Sequence, residues 1–182
     1  MFLNGRPAAW FMAVCLLVAA PAMAQVDVAN FVKLDRFADI KLSPTGEFYA
    51  ATVPLGDRTG LVVLKRADNA VTARFAMGKD THISDFVWAS DRRLLLSMAE
   101  AFGSDDTPSP TGEIFGVDAD GKNVELLVGY RAVGVGPGSR IQGRTQEAVS
   151  AYVLDTLPDD EHDVLIEVWP FQDDPYTRVE VM

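Results

Sequence analysis

Two stretches of the chain share one order of apolar and polar positions. Each begins with an acidic residue, continues through a short apolar segment and a tight polar turn, and ends in an apolar segment of strand length. The first is Asp39-Ile-Lys-Leu-Ser-Pro-Thr-Gly-Glu-Phe-Tyr-Ala-Ala51, and the second, Asp85-Phe-Val-Trp-Ala-Ser-Asp-Arg-Arg-Leu-Leu-Leu-Ser97, starts 46 positions later. A strand-rich repeat of about 40–50 residues is typical of β-propeller blades. The sequence therefore predicts an all-β fold, a partial β-propeller of about three blade-like antiparallel units.

Turn residues and apolar alternation set the limits of these units. Unit one covers about 37–77, unit two about 83–128, and unit three begins near 148. Strands are predicted at 48–53, 61–65, 71–75, 94–98, 113–117, 124–128, 149–154, 164–169 and 176–182. The segments 102–112 and 129–145, rich in proline or glycine, are predicted to be loops. A propeller closes with about 4–8 blades, so three units indicate either an unusual closure or the front part of a larger protein.

The N-terminus has the layout of an export signal. Arg6 supplies a positive charge, and an apolar run of 13 residues extends from Ala8 to Ala20. Ala22 and Ala24 then provide small residues at the two positions that signal peptidase recognises. The run is short for a membrane-spanning helix, which needs about 20 apolar residues. We therefore expect a signal peptide at 1–24, a mature chain of 25–182 that is periplasmic or secreted, and no membrane association after cleavage.

Charge and cysteine content restrict the chemistry of the chain. The formal net charge of −10 argues against nucleic acid as a partner, because such binding needs a basic patch. An acidic surface is compatible with cationic or neutral peptides. Cys15 is the single cysteine and lies in the predicted signal peptide, so the mature chain is expected to form no disulfide and no thiolate metal site.

The candidate reactive groups are few. His82 is predicted to lie in a connection between units, and His162 in a solvated acidic turn. Asp118-Ala-Asp-Gly121 lacks the spacing of a calcium loop and predicts a hairpin, while Gly134-Val-Gly-Pro-Gly138 does not match a dinucleotide fingerprint. We therefore predict no catalytic residues, no metal and no cofactor. The aromatic residues that fall in strand patterns are expected in the core: Phe48, Trp88, Phe115 and Trp169. Tyr130 and Arg131, beside the glycine-rich loop, are candidates for a binding surface.

Four segments resemble one family of proteins. The segments are Leu42-Ser-Pro-Thr-Gly-Glu47, Phe86-Val-Trp88, Asp118-Ala-Asp-Gly121 and Leu157-Pro-Asp-Asp-Glu-His-Asp-Val-Leu-Ile166. They are similar to the N-terminal propeller of exported bacterial serine peptidases of the prolyl oligopeptidase (S9) family, such as dipeptidyl aminopeptidases and acylaminoacyl peptidases. Related turns occur in periplasmic propellers of the TolB type. The resemblance implies a non-catalytic segment that gates peptide access to an α/β-hydrolase domain.

That hydrolase domain is not within these 182 residues. The nucleophile elbow G-x-S-x-G occurs nowhere in the sequence, so no catalytic residue can be assigned. The resemblance thus implies peptidase activity for a full-length parent and none for this chain alone. Two other interpretations stay open at this point: a freestanding periplasmic interaction module, and a non-functional truncated remnant.

Overall fold

The computed structural model describes residues 37–103, 107–130, 142–143, 148–160, 162–171 and 177–182. These residues form strands and connections, with no helix among them. The predicted signal peptide, with Ala22 and Ala24, lies outside them, as do Arg131 and the segment 134–138.

The strands form three sheets, each continuous in sequence. Sheet A has the order β1-β2-β3-β4, with β1 (Ile40–Leu42), β2 (Phe48–Pro54), β3 (Thr59–Lys65) and β4 (Val71–Phe75). Sheet B has the order β5-β6-β7-β8-β9, with β5 (Thr81–Trp88), β6 (Arg93–Glu100), β7 (Ser109–Asp118), β8 (Glu125–Val128) and β9 (Gln142–Gly143). Sheet C has the order β10-β11-β12, with β10 (Val149–Asp155), β11 (Leu165–Pro170) and β12 (Arg178–Val181).

All strand pairs are antiparallel apart from the two-residue parallel pair of β8 with β9. Consecutive strands are neighbours throughout, which is the arrangement within a propeller blade. The expectation of an all-β fold with three blade-like units is therefore confirmed.

Tight turns set the register at the start of sheet A. In the Ser43–Gly46 turn, the Gly46 amide donates to the Ser43 carbonyl at 2.8 Å, and the Ser43 hydroxyl accepts from the Phe48 amide at 3.1 Å. Gly46 has φ +68°, a conformation that glycine adopts without steric cost. Leu42 therefore lies opposite Tyr49 and Ile40 opposite Ala51.

Sheet B lies between the other two sheets. One of its faces packs on sheet A in an apolar cluster that includes Phe86, Trp88 and Phe115, and its other face packs on sheet C around Leu95 and Ile114. The alternation of a strand places Leu94 and Leu96 on the first face and Leu95 on the second, and all three are buried. Sheets A and C, by contrast, each have one face that the described residues leave open.

Three predictions about strand limits are wrong. The segment 129–145 was expected to be a loop, yet β9 (Gln142–Gly143) lies within it and pairs in parallel with the edge of β8. The segment 102–112 was expected to be a loop, yet β7 begins at Ser109 and Pro110 lies opposite Ala99. A register shift between Ser97 and Ala99 accommodates the proline in the strand. His82 lies in β5 opposite Ala99, not in a connection between units.

Candidate functional site

The polar groups that line sheets B and C form the candidate site. A groove of roughly 220 Å³ lies where β5 and β10 approach each other, and we call it the inner groove. Its polar lining includes Ser84, Asp85, Ser97, Glu113 and Tyr152. The first strands of two consecutive blades therefore contribute to one cleft that carries two carboxyl groups.

Glu113 is the most enclosed acid of the inner groove. Its residue is 1% exposed, on β7 between two sheets, and its Oε2 lies 3.1 Å from the Thr111 hydroxyl. Gly112, with φ +72°, brings β7 so close to β10 that a Cβ there would lie 2.3 Å from the Ser150 Cβ. The groove is thus fixed by a close approach of two backbones.

A lysine that contacts two residues of the groove joins sheet A to sheet B. Lys41 Nζ donates to Asp85 Oδ1 at 2.6 Å and to the Phe86 carbonyl at 2.7 Å, and lies 3.4 Å from Asp39 Oδ2. The same ammonium is 4.8 Å from the centroid of the Phe86 ring. Burial acts to lower the pKa of Lys41, but the hydrogen bond and charge of Asp85, assisted by Asp39, outweigh it and raise that pKa. Lys41 is therefore protonated at neutral pH and partly offsets the acidity of Asp85.

The structure gives His82 a partner that the sequence did not suggest. Its Nδ1 lies 3.0 Å from the Thr59 hydroxyl, so this pair joins β5 to β3 across two sheets. We interpret the pair as a link between blades.

His162 lies in an exposed turn, as predicted. Asp160 Oδ1 accepts from the backbone amides of His162 at 2.8 Å and of Asp163 at 3.2 Å. These backbone hydrogen bonds lower the pKa of Asp160. The carboxylate therefore caps the turn.

The hairpin predicted at Asp118–Gly121 is confirmed. Gly121 donates to the Asp118 carbonyl at 2.8 Å and has φ +78°. Asp118 Oδ1 pairs with Arg93 Nη1 at 2.9 Å, and Arg93 also contacts Glu125. Arg93 of β6 thus links Asp118 at the end of β7 to Glu125 at the start of β8.

The prediction that the aromatic residues of the strands lie in the core is wrong for one of the four. Phe48, Trp88 and Phe115 are buried, but Trp169 is 50% exposed. Trp169 lies on the face of sheet C that points away from sheet B, because its neighbour Val168 packs against sheet B. Tyr130, a candidate for a binding surface, is partly exposed and packs edge-on against Phe171, with ring centroids 5.3 Å apart.

Metal and membrane features are absent from the part of the chain that the structure describes. There, no group of three or more His, Cys, Asp or Glu side chains is placed to hold a metal ion. In the same ranges, no helix is long and apolar enough to cross a bilayer.

Sequence reasoning did not find the inner groove. Asp85, Glu113 and Tyr152 are far apart in the chain and meet only because the first strand of one blade packs on the third strand of the preceding blade. The signal available in the sequence was the repeat itself, since Asp85 is the second copy of the acidic position that opens each unit.

Comparison with known proteins bears on the fold alone. No protein-family model matches the chain, and no curated protein matches it either. A crystal structure of a candidate conserved lipoprotein from Clostridium novyi NT is similar, with a TM-score of 0.50 and 11% identity. The similarity covers 82% of this chain and 87% of the solved chain. At this identity it supports the all-β architecture and says nothing about activity.

Proposed function

We propose that the protein is an exported, non-catalytic propeller segment that gates peptide access to a serine-type hydrolase domain outside these 182 residues. The observation that carries the proposal is the stack of three blade-like sheets, with an acidic groove between the first strands of two blades. The resemblance of the turns to prolyl oligopeptidase-like propellers supplies the link to peptide hydrolysis.

The lining of the inner groove supports the proposal that the recognised molecules are peptides. Asp85, whose side chain is 58% exposed, provides a carboxyl group, and Tyr152, which is 39% exposed, provides an aromatic ring with a hydroxyl. Such a lining favours peptide amides and cationic side chains and disfavours anions. The net charge of −10 adds to that preference.

Export is supported by the N-terminal segment. Arg6, the apolar run and the Ala22/Ala24 pair fit a cleavable signal, and a periplasmic or secreted location follows. The structural neighbour is a candidate lipoprotein, a description compatible with an exported protein.

One observation favours a second candidate, a freestanding interaction module. The similar solved chain is covered over 87% of its own length, so that crystallised chain leaves no room for a hydrolase domain. A comparable arrangement here would make the blades a binding module without an enzyme.

The test is the intact mass and probe reactivity of the native protein. An antibody to residues 25–182 isolates it from periplasm, and a fluorophosphonate probe labels any serine hydrolase that shares the polypeptide. We expect a labelled species several times heavier than the 19.8 kDa chain. An unlabelled species near the mass of the mature chain would refute the peptidase proposal and support the freestanding module.

A further inference from the structure

The two junctions between sheets differ at one position of the internal repeat. Lys41 in β1 corresponds to Val87 in β5, and Asp39 corresponds to Asp85, in each case 46 residues later. Lys41 lies where sheet A meets sheet B. Val87 lies where sheet B meets sheet C, packs on the apolar cluster there and lines the inner groove. The charged side chain of the first junction is therefore replaced by a shorter, uncharged one at the second.

The first junction shows how these sheets hold an ammonium group. Lys41 Nζ lies 2.6 Å from Asp85 Oδ1, 2.7 Å from the Phe86 carbonyl oxygen and 3.4 Å from Asp39 Oδ2. The centroid of the Phe86 ring is 4.8 Å away. Carboxylates, a carbonyl oxygen and an aromatic ring are groups that stabilise a cation. The chain thus binds one of its own basic side chains at this level of the sheet stack.

The lining of the second junction, among the described residues, has the acid and an aromatic ring but no lysine. Asp85 occupies the position of Asp39, and Tyr152 of β10 contributes a ring on the following sheet. The inner groove that they line measures roughly 220 Å³. A cavity of about 150 Å³ admits benzene, so this groove has room for the four-carbon stem and the ammonium of a lysine.

The Asp85 carboxylate has one oxygen engaged within the chain and one that remains for a ligand. Oδ1 accepts from Lys41 Nζ and from the Phe86 amide, the latter at 2.8 Å. Within the part of the chain that the structure describes, no donor hydrogen-bonds Oδ2, and the side chain is 58% exposed. The Lys41 ammonium and the carboxylates of Asp39 and Asp85 together leave a formal charge of −1. One further cation would neutralise that charge.

We propose that the inner groove binds the lysine side chain of a peptide, with the ammonium on Asp85 Oδ2 and the stem between Val87 and Tyr152. The ligand supplies at the second junction the group that Lys41 supplies at the first. This inference rests on the proposal that the groove receives peptides, and it names the side chain that is recognised.

The first experiment compares two peptides by isothermal titration calorimetry. One is a blocked pentapeptide with a central lysine among glycine and alanine, and the other has norleucine there, which keeps the stem without the ammonium. Both are titrated into the protein expressed from the full sequence and purified in its exported form. We expect the lysine peptide to bind about three- to tenfold more tightly, with the difference shrinking as salt screens the charges. Equal affinities would overturn the proposal, as would the absence of saturable binding at about 10 mM peptide.

Two substitutions should move the affinity for the lysine peptide in opposite directions. Asp85→Asn removes the acceptor and should weaken binding by about three- to tenfold. Lys41→Met frees Oδ1 and makes the groove more negative, so binding should tighten by about two- to fourfold. Asp159→Asn is the matched control, because it removes the same charge from an exposed turn outside the groove lining and should leave the affinity unchanged. If the Lys41–Asp85 pair were only structural, both variants would weaken binding, and that result would overturn the proposal.

Val87→Lys tests the equivalence of the two junctions. Lys41 contacts the acid two positions before it, so the new ammonium should reach Asp85 and occupy the groove. We expect this variant to lose binding of the lysine peptide, with circular dichroism and the urea midpoint showing that it is folded. A folded variant that binds the peptide as tightly as wild type would overturn the proposal. If the variant does not fold, the opposed changes at Asp85 and Lys41 decide.

The outcome can be distinguished from that of the proposed function. Mass and fluorophosphonate labelling report on a hydrolase domain, whereas the comparison of lysine with norleucine reports on the groove alone. A labelled polypeptide that binds both peptides equally would refute this inference and leave the peptidase proposal standing. An unlabelled chain that prefers the lysine peptide would refute the peptidase proposal and support the assignment of the groove.

Discussion

Phe86 and Ile40 are repeat-equivalent residues in different surroundings, which allows a direct test of the blade stack. Phe86 is 1% exposed between sheets A and B, whereas Ile40 is 55% exposed on the open face of sheet A. Replacing a buried phenylalanine by alanine costs about 3–5 kcal/mol. Loss of the Lys41 ammonium contact, 4.8 Å from the ring centroid, adds roughly 0.5–1 kcal/mol. We expect Phe86→Ala to lower the free energy of unfolding by about 3.5–6 kcal/mol.

The matched variant Ile40→Ala should cost about 1 kcal/mol, since roughly half of the side chain is already in water. Urea unfolding followed by tryptophan fluorescence measures both, with the buried Trp88 as reporter. Domains are stable by about 5–15 kcal/mol, so Phe86→Leu, with an expected cost of about 1–2 kcal/mol, is included in case the alanine variant does not fold. Equal losses at Phe86 and Ile40 would refute the inference that sheet A covers one position and leaves the other open.

Three further predictions concern charge, backbone geometry and chemistry. Because Asp85 helps to raise the pKa of Lys41, the stabilisation by this pair is fully present below pH 10.5 and is lost as the pH rises through the higher folded value. Lys41→Met should thus be less stable than wild type by about 1 kcal/mol at pH 8, with the difference vanishing in strong alkali; a difference that does not change with pH would contradict this. Gly112→Ala should cost about 3 kcal/mol, since its Cβ would lie 2.5 Å from the Ser150 Cα, whereas Gly103→Ala, with φ +64° and open space, should cost about 1 kcal/mol; calorimetry that ranks the two in reverse would refute the close approach. The purified chain should not cleave dipeptidyl or prolyl chromogenic substrates above a mock preparation, and turnover above that background would overturn the non-catalytic assignment.

The sequence predicts strands best where alternation and turn residues agree. The limits of β4, Val71–Phe75, are those predicted, and β2 differs by one residue at Pro54. The start of β7 could not be predicted, because Pro110 and Gly112 favour a loop by local chemistry. In the structure a register shift and a positive φ at Gly112 allow the strand to continue through them.

Residues that depend on the neighbouring blade were harder to predict. Trp169 has the pattern of a core residue, and only the position of sheet C at the end of the described stack leaves it half-exposed. His82 lies in a segment of weak pattern, and its hydrogen bond to Thr59 comes from another sheet. The inner groove combines residues from units that are adjacent in space but separated in the chain. Local sequence patterns therefore could not predict it.

The position of sheet B between two partners affects how the chain can vary. In β11, buried and more exposed residues alternate, so every second position tolerates polar substitution. In β6 the consecutive residues Leu94, Leu95 and Leu96 are all buried, so neither face of the strand tolerates polar substitution there. Among variants selected for folding, polar substitutions should be tolerated at every second position along β11. Along β6 they should show no such alternation. If a period of two were also missing along β11, selection itself would reveal that the outer face of sheet C is covered in the cell.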